Sequence, residues 1–474
     1  MIDFVENSSS LLFFLVSLVF LGGFYWIVEK VRQRKALPDI PTFEDERIKV
    51  LSDNSIKLPK SHIKEFVHTD STYIGSYGNN KIFIPNKTSH LFICGTTGTG
   101  KTIVLSNFIK TAFEQNMPML IIDGKGDIGN NSIIDIVKKF QRERKVYVID
   151  FNDPVKSDGY NPFNNTSPTV IKDMLVNLTE WSEEHYKVNA ERYIQRVIEL
   201  MFVSNIPLSL KTITNNMSVN SFKTLSAKLS NEKIITKEHH LQNLELAQTA
   251  GTIAEGATAR FANIIENELG QIFNENGIDI YTALKEKAII VFILKPLLYP
   301  ELSTLIGKLI VIDSKKAVDK TFASNNERTF FMFDEINVYA GKQLLDLVNK
   351  SRSANITCFL ATQSLSDLDS STNDGEHFRR QVIENCNNYI ILRQNDPKNS
   401  EEWAKVIGTV KTMDITYQLH SEDNITTNTG HGSAKFTREF IFHPDDIKNL
   451  KLGEGYYVNK NTGENTRVNI QKPF

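Results

Sequence analysis

Residues 95–102 read Gly-Thr-Thr-Gly-Thr-Gly-Lys-Thr, a G-x-x-x-x-G-K-T string, and no other stretch narrows the possible folds so far. The apolar run His90-Leu91-Phe92-Ile93-Cys94 leads into it, and a helical pattern over residues 103–113 leads out. Strand, glycine loop and helix in that order make a phosphate cradle. The glycines let the backbone curl so that successive N–H groups point inward at anionic oxygens, and the helix N-terminus adds partial positive charge. Gly95, Thr96, Thr97, Gly98, Thr99, Gly100, Lys101 and Thr102 are therefore the nucleotide-binding candidates. Lys101 is expected to reach the β- and γ-phosphates, and the Thr102 hydroxyl to ligate Mg²⁺. The flanking strand and helix count against a plain glycine-rich turn.

A nucleotide site alone does not name a reaction. Thr329-Phe330-Phe331-Met332-Phe333-Asp334-Glu335 is an apolar run ending in two acids, the form of a Walker B strand. A buried strand would deliver Asp334 to the sheet edge to hold Mg²⁺. Glu335, one residue on, would take a proton from the water that attacks the γ-phosphate, or orient that water. Thr357-Cys358-Phe359-Leu360-Ala361-Thr362-Gln363-Ser364 puts Gln363 at the end of another buried strand. In sheets of RecA type that strand lies between the Walker A and Walker B strands, so Gln363 is placed to sense the γ-phosphate. Arg352, in Lys350-Ser351-Arg352-Ser353, reads either as a solvated surface residue or as a finger acting on a neighbouring subunit's site. Asp123-Gly124-Lys125-Gly126-Asp127 follows a predicted strand and either lines a substrate path or simply ends that strand. Asn86-Lys87, Asn349-Lys350 and Asn459-Lys460 all lack the Asp of an N-K-x-D motif, which excludes a guanine-specific GTPase reading. No LSGGQ-like transporter signature is present.

The remaining bounds come from charge and from the ends of the chain. A formal net charge of −2 over 474 residues rules out a generally basic nucleic-acid binder, so DNA contacts would come from a local patch or from oligomeric symmetry. Cys94, Cys358 and Cys386 lack C-x-x-C spacing and read as small buried hydrophobes in a reducing compartment. Residues 11–28 are 18 consecutive positions without a charge. As a helix they would span about 27 Å, close to the hydrocarbon core of a bilayer. Tyr25 and Trp26 sit near one end, and Lys30, Arg32, Arg34 and Lys35 follow, whereas the first ten residues hold only Asp3 and Glu6. The positive-inside rule then puts the bulk of the chain in the cytoplasm behind a single transmembrane helix.

The predicted organisation is α/β. A short outer N-terminus (1–10) and the transmembrane helix (11–28) precede a proline-containing linker (29–60). Residues 61–167 begin with a hairpin over 71–85 and continue as βαβαβ, the pattern of a parallel sheet covered on both faces. Residues 168–275 read as amphipathic helices, among them 170–181, 188–202 and 252–273, and so as an all-α subdomain inserted into the nucleotide-binding domain. That domain resumes over 276–474, where the polar stretch 421–433 reads as an exposed loop.

These segments, in this order, resemble the type IV coupling proteins of bacterial conjugation and secretion, relatives of FtsK/HerA-type translocases. The resemblance spans most of residues 60–470. It rests on the loop at 95–102, DGKGD at 123–127, the segment from Asp150 to Asn161-Pro162-Phe163, the inserted helices, Phe333-Asp334-Glu335, the ATQSLSDL run at 361–368, and the tail from His443-Pro444-Asp445-Asp446 to Leu452-Gly453-Glu454-Gly455. It implies a RecA-like P-loop NTPase domain carrying an inserted all-α subdomain, in an inner-membrane ATP hydrolase that forms a hexameric ring. Such proteins use ATP and Mg²⁺ to bring relaxase-linked single-stranded DNA to the secretion channel, and their partners are relaxosome proteins and inner-membrane channel components. Carried over by position, Lys101 and Thr102 bind nucleotide, Asp334 holds Mg²⁺, Glu335 handles water, Gln363 is the sensor and Arg352 matches the finger. Many members have two membrane spans where this chain shows one. The competing readings are a coupling protein for protein effectors, a HerA-type DNA translocase, and a receptor whose nucleotide only sets assembly.

Overall fold

The computed structural model describes residues 70–474, apart from 88–89, 180, 323–326 and 423–424. The expected membrane helix and linker lie outside the described residues, and among these no helix is long and apolar enough to cross a membrane. The described chain divides into two compact units, residues 404–443 and the rest.

The larger unit is built on one eleven-stranded sheet in the order β2-β1-β13-β12-β9-β3-β8-β7-β4-β6-β5. A hairpin opens it: β1 (Ser71–Tyr77) turns into β2 (Asn80–Pro85) through Gly78 at φ +57°, the left-handed conformation that a two-residue turn requires. β3 (His90–Cys94), α1 (Lys101–Glu114), β4 (Met119–Asp123), α2 (Ile133–Phe140) and β5 (Val146–Asp150) follow as the expected βαβαβ. Every residue of β3 and β4 is buried, as continuous apolar runs must be when helices cover both sheet faces.

Between β5 and β6 (Ile289–Ile293) the described chain forms helices: α3 (Pro168–Leu178), α4 (Glu184–Val203), α5 (Leu210–Asn216), α6 (Val219–Asn231), α7 (Lys237–Thr249), α8 (Gly251–Ile265) and α9 (Ile280–Lys285). The helix expected over 252–273 stops at Ile265, and a 3₁₀ turn (Glu268–Ile272) takes over. Gly270 explains the break: a Cβ there would lie 2.1 Å from the Ile265 carbonyl oxygen. Entry to and exit from this segment are clasped together. Tyr160 bridges Ile278 in parallel, its hydroxyl donates to the buried Asp313 carboxylate at 2.9 Å, and Lys316 Nζ donates to the Pro162 carbonyl at 2.5 Å. The Asn161-Pro162-Phe163 stretch is thus an anchor at the foot of the helices.

The chain then returns to the sheet through α10 (Pro300–Phe322), β7 (Thr329–Asp334), α11 (Lys342–Ser351), β8 (Ile356–Thr362), α12 (Leu365–Asp369), α13 (Gly375–Asn385), β9 (Cys386–Leu392) and α14 (Pro397–Ile407). β8 pairs in parallel with both β3 and β7, so the Gln363 strand lies between the Walker A and Walker B strands, as expected. On one face α1 packs into an aromatic cluster in which Phe108 meets Phe359 at 4.4 Å and Phe330 at 6.3 Å. The last elements, α15 (Pro444–Lys448), β12 (Glu454–Asn459) and β13 (Glu464–Ile470), join the parallel strands to the opening hairpin through antiparallel pairs.

The smaller unit holds β10 (Thr409–Glu422) and β11 (Ile425–Phe440), a long antiparallel ribbon. It corrects the loop expected at 421–433, which is strand over most of its length. Ladder hydrogen bonds come from the main chain, so the polar Thr, Asn, Ser and His side chains do not prevent pairing.

All three cysteines are buried free thiols. His90 ties the base of β3 to β8: its Nδ1 accepts the Cys358 N–H at 3.0 Å. Burial first, and the nearby Arg352 charge, push its pKa down to about 4, although a hydrogen bond to the Val348 backbone opposes the shift. Between pH 6.5 and 4 the unfolded imidazole therefore binds a proton that the folded one refuses, and stability falls as pH drops through that window. His90→Asn keeps an acceptor but removes the titration. Urea unfolding at pH 7 and at pH 5 should show a smaller acid-induced loss of stability for this variant than for the parent.

Candidate nucleotide-binding site

The phosphate loop leaves β3 at the C-terminal edge of the parallel strands and is held there by main-chain bonds. Gly95 N–H donates to the Thr362 carbonyl at 3.3 Å, and Thr96 donates to the Arg393 carbonyl from both its N–H (3.1 Å) and its hydroxyl (3.2 Å). Thr99 closes the turn, its Oγ1 donating to the Thr96 carbonyl at 2.7 Å. Gly98 (φ +79°) and Gly100 (φ +116°) take left-handed conformations that a side chain would strain. α1 then starts at Lys101 with Gly100 as N-cap and no capping side chain, leaving its first N–H groups to an anion. Thr97 and Gly98 form the exposed crown, and Thr102 is half-buried in the first turn. The tail supports the loop from the other side, with Gly453 N–H donating to the Thr99 carbonyl at 3.3 Å.

Lys101 is buried and folded back, Nζ donating to the Gly95 carbonyl at 2.7 Å and lying 3.8 Å from Glu335 Oε1. Glu335 also accepts from Gln363 Nε2 at 3.1 Å, and Gln363 Oε1 accepts from the Thr97 hydroxyl at 2.8 Å. Thr97, Gln363, Glu335 and Lys101 thus form one chain of polar contacts across β3, β8 and β7. Glu335 reaches it through a left-handed backbone turn (φ 48°, ψ 57°), costing about 1–2 kcal/mol in a non-glycine residue. Gly124 permits that turn: a Cβ there would come within 2.6 Å of the Asp334 carbonyl oxygen and 3.0 Å of that of Glu335. The Asp123–Asp127 loop therefore packs beneath the Walker B turn. Asp123 shapes the loop by accepting the N–H groups of Lys125 and Gly126, each at 3.0 Å.

Asp334 stands opposite Asp123 in the β4–β7 register, and both are buried. Burial, then the Asp123 and Glu335 carboxylates, raise the Asp334 pKa well above the usual carboxylate range; burial is also the main cause that raises Asp123. Asp334 Oδ1 is buried and accepts no hydrogen bond. Such an orphaned oxygen suits a divalent cation or its water. Among the described residues no group of three or more His, Cys, Asp and Glu could hold a metal. The orphaned Asp334 oxygen therefore fits Mg²⁺ that keeps phosphate and water ligands, which Asp334 and Thr102 would hold.

The structure does not bring Arg352 to the other candidates. It is exposed on the 3₁₀ turn Arg352–Ala354 just before β8, at the strand-start edge beside His90. Sequence reasoning missed Tyr339, whose buried hydroxyl donates to the Asp334 carbonyl at 2.9 Å, and the carbonyl and N–H anchors at Arg393 and Gly453. Main-chain anchors leave no side-chain signal.

A P-loop strand–loop–helix, a neighbouring acidic strand end and a glutamine strand between them define a RecA-like P-loop NTPase. Two segments match family models: residues 81–131 the "Type IV secretion-system coupling protein DNA-binding domain", and residues 328–452 the "TraM recognition site of TraD and TraG". Over those two segments the chain resembles the type IV coupling proteins. No curated protein matches it. Among solved structures, the unbound conjugative coupling protein TrwBdeltaN70 superposes with a TM-score of 0.63 at 17% identity, covering 85% of this chain and 89% of its own. TrwB in complex with ADP and Mg²⁺ gives 0.58 at 16% identity, covering 83% and 88%. VirB4 of Thermoanaerobacter pseudethanolicus gives 0.50 at 12% identity, covering 85% and 96%. At such identities these likenesses establish the fold.

If Asp334 helps hold the cation, Mg²⁺ should tighten ATP binding by the parent. Asp334→Asn should lose most of that gain while still binding ATP without metal. Calorimetric titration with ATP, with Mg²⁺ and with EDTA, measures both. An unchanged Mg²⁺ dependence would remove Asp334 from the metal's shell.

Proposed function

We propose that this chain is a membrane-anchored ATPase that couples relaxase-linked DNA to a type IV secretion channel and drives its transfer by ATP hydrolysis. The observation that carries the reading is the meeting of Lys101, Glu335, Gln363 and Thr97 at one sheet edge, in segments that match coupling-protein family models. The names of those models point to DNA and to a relaxosome protein as partners. The uncharged run at 11–28, followed by Lys30, Arg32, Arg34 and Lys35, supports a single span in the bacterial inner membrane with the bulk of the chain cytoplasmic. TrwB has been solved with an ATP analogue and with ADP and Mg²⁺, which supports ATP and Mg²⁺ here.

The chemistry follows from the contacts. Lys101 exchanges the Gly95 carbonyl for the β- and γ-phosphate oxygens. Its charge then stabilises what develops on the γ-phosphoryl group. Glu335, left with Gln363 as its donor, keeps lone pairs free to orient a water and take its proton. Gln363 touches both the loop crown and the base, so a change at the γ-phosphate reaches both. Thr102 and Asp334 would hold Mg²⁺, which would neutralise phosphate charge. Arg352, exposed at the opposite edge, would act on a neighbouring subunit of a ring rather than on its own site.

The test is ATP turnover by the full chain with and without single-stranded and duplex DNA. DNA should stimulate the parent. Lys101→Ala should lose turnover, and Glu335→Gln should bind ATP without turning it over. Gln363→Ala should lower kcat by about 10²-fold with nucleotide affinity nearly kept, the usual scale for one lost polar contact to a transition state. Equal rates with and without DNA would instead favour a protein cargo, and conjugal transfer that survives Glu335→Gln would remove hydrolysis from the role.

A further inference from the structure

A cleft of about 660 Å³ is lined by residues of α10, α11 and α13. Lys308 enters its wall from α10, Lys342 and Gln343 from the first turn of α11, and His377 from α13. Asn177 at the end of α3 and Thr372 before α13 are among the further polar residues of its lining. Two acids also border it. Asp346 is paired with Lys315 Nζ at 3.2 Å, while Asp374, at the N-cap position of α13, caps no N–H with its side chain. Lysine ammonium groups and a threonine hydroxyl bordering one space are donors of the kind that phosphate and sugar oxygens take up, whereas the Gln343 and Asn177 amides are bonded to each other, Gln343 Nε2 donating to Asn177 Oδ1 at 3.0 Å.

The cleft is tied to the catalytic edge twice. Tyr339, Ala340 and Gly341 contribute to it, and they continue directly from the Asp334–Glu335 turn. Tyr339 both borders the space and donates its hydroxyl to the Asp334 carbonyl. Ser371 and Thr372 contribute from the segment that continues from Gln363 through α12. An occupant would therefore press on the two segments that carry the catalytic acid pair and the glutamine.

We propose that this cleft binds the sugar–phosphate backbone of a single DNA strand, and that Tyr339 passes its occupancy to Asp334 and Glu335. The proposal rests on the reading of the chain as a DNA-transfer ATPase. A space of this volume takes a short length of one strand and is too small for a duplex. The local lysines also supply what the net charge of −2 withholds from the chain as a whole.

The experiment uses the full chain and a fluorescein-labelled oligothymidylate, followed by anisotropy across a salt series and by ATP turnover. Lys308→Ala/Lys342→Ala should weaken oligonucleotide binding about tenfold or more, and should flatten the slope of log K against log salt by about 1.4, the share of two single-strand phosphate contacts. Turnover without DNA should stay at the parent rate while its stimulation disappears. Lys342→Arg should retain both binding and stimulation, and Tyr339→Phe should keep affinity but lose stimulation. If the double variant does not fold, Lys342→Glu at an exposed position gives the same reading. Parent-like binding and stimulation in the lysine variants, with the parent clearly stimulated, would overturn the cleft and leave the transfer reading standing. A parent that neither binds nor responds to the oligonucleotide would overturn both.

Discussion

Parallel pairing of β3, β8 and β7 is the constraint from which the site follows. In a parallel ladder neighbouring strands end on the same side, so the residues just past their ends are neighbours whatever their separation in the chain. Cys94 lies opposite Thr362, and Phe333 opposite Leu360. Gly95, Gln363 and the Asp334–Glu335 pair consequently emerge side by side. Burial on both faces keeps that register in place, because the strands are apolar and covered by helices on either side. A slip by one residue would move Gln363 away from Thr97 and Glu335 together.

Strand geometry alone would turn Glu335 away from Asp334, since successive side chains on a strand face opposite sides. The left-handed backbone at Glu335 ends the strand one residue early and swings its carboxylate onto the Lys101 side. That conformation is unfavourable by itself. It persists because Gly124 leaves room beneath it, Gly124 N–H donates to the Asp334 carbonyl at 3.2 Å, and Tyr339 donates to the same carbonyl. The conjunction of a strained acid and a glycine on the adjacent strand accounts for the DGKGD stretch better than either sequence-based alternative, a substrate path or a plain strand end.

Much of this was legible in the chain because the informative residues are local. The loop at 95–102, the acids at 334–335 and the glutamine at 363 each close an apolar run, and runs of that kind read as buried strands without any long-range knowledge. The ribbon at 409–440 was not legible as a whole. Met413, Ile415, Tyr417 and Leu419 alternate with polar residues, a period-two signal that could have revealed β10. Its partner carries Thr, Asn, Gly, His and Ser across the same level, and polar strands announce themselves only through pairing. The supports of the phosphate loop at Arg393 and Gly453 were invisible for a different reason. They act through a carbonyl and an N–H, which every residue of their kind possesses.

Lys101 carries the one buried positive charge among the polar contacts of the site. A buried ammonium must have partners at all times, because an unpaired charge in that setting is far costlier than any hydrogen bond it could form later. Those partners are the Gly95 carbonyl and Glu335. Phosphate oxygens can replace them only by offering more negative charge at the same place. On the proposed reading the exchange would favour a triphosphate over neutral ligands and would free Glu335 from the lysine as a γ-phosphate binds. Selectivity for the nucleotide and readiness of the base would then follow from one displaced contact, with Gln363 bonded to the carboxylate.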